Sequence, residues 1–161
     1  MHATKLRKGE ALAKMLKICV EKFDGHFDKA GMPYIFHLLK VMHYVKSDDE
    51  ELQCIALGHD LVEDIFASDH EAGYSFLRRE GFSDRVINGI RNLTKIAGEE
   101  LDVYVERVKS SLDSIIVKLA DLRHNSDIRR LKGLRDKDIE RVRKYHWMHL
   151  ELTAAKDAYG R

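Results

Sequence analysis

Gly58-His59-Asp60-Leu61-Val62-Glu63-Asp64-Ile65 sets an imidazole beside a carboxylate, with a second acidic pair one helical turn further on. At about 100° per residue, His59, Asp60, Glu63 and Asp64 fall on one arc roughly 140° wide. Leu57, Leu61, Val62, Ile65 and Phe66 take the other side. Three carboxylates on one half-buried arc repel each other, and desolvation sharpens the repulsion. A divalent cation relieves it. A set of histidine and carboxylate ligands suits a borderline metal such as manganese, iron or zinc better than it suits calcium. The competing reading is a solvated acidic face, and on this stretch alone the two are evenly matched. Gly58 costs a helix about 1 kcal/mol relative to Ala, a cost accepted where something must approach closely.

Two further stretches break the tie. Val117-Lys118-Leu119-Ala120-Asp121-Leu122-Arg123-His124-Asn125 follows the apolar pair Ile115-Ile116. It reads as a buried helix with one carboxylate, Asp121, among apolar neighbours and Asn125 on the same face at i+4. A buried Asp is expensive unless it is paired or ligates a cation. In Asp28-Lys29-Ala30-Gly31-Met32-Pro33-Tyr34-Ile35-Phe36-His37, the glycine and the chain's single proline mark a tight turn, after which His37 opens an apolar helical run.

These stretches resemble the motifs of the HD-domain phosphohydrolases. Within that superfamily the chain is most similar to the hydrolase domain of the RelA/SpoT alarmone enzymes and their stand-alone small relatives. The resemblance runs from about Gly25 to about Tyr145. It is carried by Gly-x-Pro-Tyr-Ile-x-His (Gly31 to His37), His-Asp-x-x-Glu-Asp (His59 to Asp64), and Lys-Leu-Ala-Asp followed by His-Asn (Lys118 to Asn125). The segment from Leu77 through Leu93-Thr94-Lys95 also resembles the helical stretch these hydrolases carry between the second and third motifs.

The resemblance implies an HD-domain helical bundle around a single divalent-metal site. His37, His59, Asp60 and Asp121 would ligate one metal, most often Mn2+ in this family. Glu63 and Asp64 match the acidic pair that positions and activates the attacking water, with Glu63 the first choice of base. Asn125 matches a substrate contact beside the metal, and Arg141 with Tyr145 matches a pair that touches a nucleotide's phosphates and base. Lys29 and Lys95 offer further cations for phosphate. The chain departs from the family pattern at Leu38, where proline is usual, and at Asp28, where alarmone hydrolases often carry an arginine that contacts guanine. The second change leaves the metal chemistry intact and admits a different nucleotide preference.

The expected activity is metal-dependent removal of the 3′-diphosphate of guanosine tetra- or pentaphosphate, (p)ppGpp, giving GDP or GTP and pyrophosphate. The alternative is an HD-domain phosphohydrolase acting on another nucleotide, such as a nucleoside monophosphate or NADPH. A non-catalytic nucleotide-binding module is a third reading, disfavoured because all four ligand positions and both acidic residues are intact.

The elements that must position these residues are helical throughout. Leu, Ala, Lys and Glu dominate, and no β pattern is evident, so the fold class is all-α. The apolar spacing predicts a first helix with a Leu12, Leu16, Cys19, Val20, Phe23 stripe, ending near Gly25. A second runs from His37 to Val45, and a third, capped within Ser47-Asp48-Asp49, carries His59 to Asp64. Two shorter helices start at Ser68 or Asp69 and at Ser83 or Asp84, with Gly81 between them. Helices over 99–109 and 112–131 follow, and Asp136 opens the last, with Ile139, Val142, Tyr145, Met148, Leu150 and Leu152 on its apolar side.

The 161 residues fit one hydrolase domain (1–161) without a synthetase domain. Hydrophobic residues make up 44% and charged residues 34%, as in soluble globular proteins, and a net charge of +1 gives no bulk attraction to nucleic acid. The cluster Arg129-Arg130, Lys132 and Arg135 reads as a solvated face. Cys19 and Cys54 read as free buried thiols, and no run approaches the ~18 apolar residues of a membrane span. The expected partner is a small-molecule nucleotide rather than nucleic acid or membrane, in the cytoplasm. His124 reads as a structural hydrogen-bonder, while His2, His43, His70, His146 and His149 read as rim, surface or packing residues.

Overall fold

A computed structural model describes residues 6–160. His2 therefore lies outside the described residues. The helices, in order, are α1 (Glu10–Lys22), α2 (Ile35–Val45), α3 (Glu50–Gly58), α4 (Leu61–Ile65), α5 (His70–Arg79), α6 (Asp84–Leu93), α7 (Leu101–Lys109), α8 (Leu112–Asn125) and α9 (Asp136–Tyr159), with a 3-10 turn at Ile128–Arg130. The only β pairing among the described residues is a single bridge, Phe27 to Pro33, closing the loop before α2. The all-α expectation holds.

Side-chain caps open several of the helices. Asp49 accepts from the Glu51 and Leu52 N–H groups to open α3. Asp69 and Ser83 do the same for α5 and α6 through the Ala72 and Val86 N–H groups. Arg85 then pins the start of α6 to Asp49 and Glu51 of α3 and to Asp113 of α8. The centre of the bundle is α3, which packs on α1, α2, α6 and α8, while α8 also meets α7 and α9.

Four elements differ from the sequence expectation. In α1 the buried residues are Met15, Ile18, Cys19 and Phe23, whereas Leu16 and Val20 are 36% and 50% exposed, so the buried stripe is rotated from the one expected. The third helix breaks at the His59-Asp60 pair into α3 and α4. There the Ala56 carbonyl, which a continuous helix would offer to the Asp60 N–H, accepts from His59 Nδ1 at 2.7 Å. The eighth ends at Asn125 rather than near Leu131. The Ser126 backbone N–H closes its last turn on the Leu122 carbonyl, and the Asp127 carboxylate then accepts from the Arg129 N–H to start the 3-10 turn. A short polar side chain bonded to the main chain in this way competes with helix propagation. In α9, Met148 and Leu152 are buried as expected, but Ile139 and Leu150 are exposed.

Gly58 has the close approach its type suggests. A Cβ there would lie 2.9 Å from Ile90 Cδ1 and 3.0 Å from Met15 Sδ. Both atoms lie near the far ends of flexible side chains, so a small shift relieves the contact: the overpacking cost falls at the low end of its range, about 1 kcal/mol, and offsets the ~1 kcal/mol that helix propensity returns. Urea denaturation of Gly58→Ala should show a midpoint close to that of the wild type. A large fall in the midpoint would show that Ile90 and Met15 cannot yield.

Candidate metal centre

The break between α3 and α4 turns His59 and Asp60 towards α2 and α8. His59 is buried, and its Nδ1 is committed as a donor to the Ala56 carbonyl. The lone pair of the neutral ring is therefore on Nε2, which is buried and has no hydrogen-bond partner. That atom lies 3.0 Å from Asp60 Oδ2 and 3.5 Å from Asp121 Oδ1. A buried acceptor aimed between two carboxylates is satisfied only by a cation or a proton.

His37 arrives from the first turn of α2, set by the loop that Gly31 and Pro33 bend. Its Nε2 lies 3.2 Å from Asp121 Oδ1 and 3.6 Å from Asp60 Oδ2. Its Nδ1 lies 2.7 Å from Nδ1 of His124. Burial and the nearby charges of Arg130 and His37 push His124 down to about 4, so that ring is neutral and can accept the His37 Nδ1–H. Like His59, His37 is thereby held with Nε2 facing the carboxylates, the arrangement that outer hydrogen bonds impose on metal-ligating histidines. His124→Phe should lower affinity for a divalent metal by roughly 10–100-fold, read by competition with a fluorescent chelator. Unchanged affinity would show that the His37 tautomer needs no such support.

The carboxylates are fixed as firmly. Tyr34 donates its hydroxyl to Asp60 Oδ2 at 2.6 Å. Asp121 is buried, accepting from Lys118 Nζ on Oδ2 and from Asn125 Nδ2 on Oδ1, both at 2.7 Å. Burial opposes ionisation of all four groups, and their opposite-charge neighbours override it. His37 and His59 are raised, and Asp60 and Asp121 are held well below the carboxylate range. The site attracts positive charge. Ligand atoms of His37, His59 and Asp121 lie within 4.8 Å of one another, so this triad could bind a divalent metal, with Asp60 alongside.

A cavity of about 290 Å³ opens over this cluster. Its wall includes His37, His59, Asp60, Glu63, Asp64, Asp121 and Asn125, together with Lys29, Lys95, Arg141 and Tyr145. Every candidate residue named from the sequence thus faces one cavity. Glu63 is oriented by the Lys95 backbone N–H, which donates to its Oε1 at 2.7 Å. Desolvation and the carboxylates of Asp60 and Glu63 push Asp64 up to about 7. Arg141 is steadied by buried Asp138 at 2.9 Å.

Some contributors were not legible as such. Tyr34 and Lys118 sit inside the quoted motifs, yet only the packing shows that each holds a carboxylate. Asp138 carried no signal beyond its place near a helix start. Arg130 corrects an expectation: of the basic cluster taken as a solvated face, it turns into the cavity wall, while Arg129 stays out and pairs with Asp127.

The sequence profile of the HD domain matches residues 14–126. The chain belongs to the HD-domain family. The match takes in all three motifs and ends just past Asn125. A solved structure of a metazoan SpoT orthologue, described as hydrolysing ppGpp and playing a role in starvation responses, has the same fold, with a TM-score of 0.71. The likeness covers 95% of each chain at 19% sequence identity. This protein is thus an HD-domain protein that shares its fold with a SpoT orthologue.

Proposed function

We propose that this HD-domain protein is a metal-dependent nucleotide phosphohydrolase whose substrate is (p)ppGpp, cleaved at the 3′-diphosphate to give GDP or GTP and pyrophosphate. The observation that carries the metal-dependent part is the buried, unpartnered His59 Nε2 set between Asp60 and Asp121. The donor set of two imidazoles and two carboxylates fits a borderline divalent ion, Mn2+ by family resemblance. His37, His59, Asp60 and Asp121 would hold it, and when bound it supplies Lewis-acid polarisation of a phosphoryl oxygen and a lowered pKa for water.

The chain's own residues supply the rest. Glu63, fixed by the Lys95 N–H, orients the attacking water and takes its proton. Asp64, poised near neutrality, is the second carboxylate of that pair. Asn125 faces the substrate beside Asp121. Lys29 and Arg141 meet phosphate charge along the cavity wall, and Tyr145 offers an aromatic face to the base. The fold shared with a SpoT orthologue supports the choice of an alarmone, and a small concave cavity supports a small-molecule substrate over a polymer.

One observation favours a second reading. Asp28 stands where alarmone hydrolases often have arginine, and both of its carboxylate oxygens are engaged within the protein: Oδ1 on the Ala30 and Met32 N–H groups, Oδ2 on Arg130. An ionised carboxylate only accepts hydrogen bonds, so it cannot supply the donors that an arginine would offer to guanine. The competing substrate is another nucleotide, a nucleoside monophosphate or NADPH. The test is manganese-supplemented turnover of ppGpp beside dGMP and NADPH, with pyrophosphate and phosphate measured separately. Pyrophosphate from ppGpp supports the first reading; phosphate from another nucleotide, with ppGpp untouched, overturns it in favour of the second.

A further inference from the structure

Resting on that reading, we infer that Arg130 is a positioning residue that clasps the substrate-facing loop to the metal centre. Its guanidinium reaches Asp28, 102 residues away in the chain, while also holding the main chain at His124. One nitrogen donates to Asp28 Oδ2 at 2.5 Å, and another donates to the His124 backbone carbonyl at 2.9 Å. Both side chains of the ion pair are shielded, with 22% and 9% exposure, on the cavity wall. At that depth a charge-assisted bond is worth more than a surface pair.

The two ends of the clasp matter for different reasons. His124 carries the ring that backs His37, so its main chain is a fixed point of the metal centre. Asp28 is the hinge of the 27–33 loop. Its Oδ1 gathers the Ala30 and Met32 N–H groups, and its own N–H donates to the Met32 carbonyl at 2.8 Å. Lys29, the next residue, lines the cavity. It sits there under strain of charge: burial and the neighbouring cations Arg141 and Lys144 lower its pKa. Without a tether the loop would relax outwards and carry Lys29 away from them. The clasp opposes that drift and keeps the lysine in place for an anionic group of the substrate, whose arrival then relieves the repulsion.

The test uses the full-length, manganese-loaded protein and its variants Arg130→Met, Arg130→Lys and Asp28→Asn. In Arg130→Met, amide hydrogen exchange over residues 27–34 should accelerate without a change elsewhere in the bundle. KM for the nucleotide that the wild type hydrolyses should rise roughly tenfold at nearly constant kcat, the size expected for one charge-assisted hydrogen bond. Arg130→Lys should fall between the two, since one ammonium cannot span both acceptors. Asp28→Asn combined with Arg130→Met should be no worse than the worse single variant. Unaltered exchange over 27–34 in Arg130→Met overturns the clasp, as does a fall in kcat with KM unchanged or a loss of bound metal. Because exchange is read without turnover, a wild type inactive on every nucleotide defeats the functional reading, whereas an active wild type with unaltered loop exchange in Arg130→Met defeats the clasp alone.

Discussion

Asp121→Asn is expected to abolish metal retention and turnover together. Asp121 Oδ1 is the carboxylate oxygen nearest His37 Nε2, and the same side chain neutralises the buried Lys118 ammonium through Oδ2. An amide keeps the shape and gives up the charge. It leaves two imidazoles and one carboxylate for the cation, and a buried ammonium facing a neutral acceptor. Removing one partner of a buried ion pair costs about 3–5 kcal/mol, and because Asn still accepts a hydrogen bond from Lys118, the lower end of that range is expected. Metal content after dialysis and a thermal melt separate the two effects. A variant that folds at low temperature but holds no metal is the predicted outcome. One that retains a full equivalent of metal would remove Asp121 from the ligand set.

Glu63→Ala should do the opposite, leaving the metal bound while slowing turnover by ~10²-fold or more, the usual size of an acid-base contribution. The geometry allows a sharper version. The Lys95 N–H bond to Glu63 Oε1 can be kept by glutamine and is lost with alanine. If proton transfer is what Glu63 contributes, Glu63→Gln and Glu63→Ala should be similarly slow. A fast Glu63→Gln enzyme would mean that Glu63 serves only to hold the Lys95 segment, and the role of base would pass to Asp64. Wild-type rates in Glu63→Ala would eliminate the residue from the mechanism.

How far the site could be read from the sequence depended on whether a residue's role is local or made by packing. His59, Asp60, Glu63 and Asp64 lie within six positions, so helical spacing alone brought them to one side, even though the chain breaks at the His-Asp pair rather than continuing as one helix. Asp121 stood out because a carboxylate in an apolar run needs a partner. What spacing could not reveal was what surrounds each ligand. Nothing local pairs Tyr34 with Asp60, or the ring of His124 with that of His37, since those contacts join elements far apart in the chain. Arg130 is the clearest case. Read as part of a continuous helix over 112–131 it belonged to a basic face, but that helix ends at Asn125, and the 3-10 turn that Asp127 caps sends Arg130 inwards to Asp28. The stripe of α1 was misplaced for a simpler reason: Met15 and Ile18 were passed over in favour of Leu16 and Val20, which satisfy the same period on an adjacent face.

The decisive measurement is pyrophosphate release from ppGpp by chelator-stripped protein, followed as Mn2+ is titrated back. The stripped protein should release none, and release should rise in proportion to bound metal, saturating when one ion per chain fills the His37, His59, Asp60 and Asp121 site. Release that survives stripping, or a chain that binds one Mn2+ and hydrolyses no nucleotide, would contradict metal-dependent hydrolysis at this site.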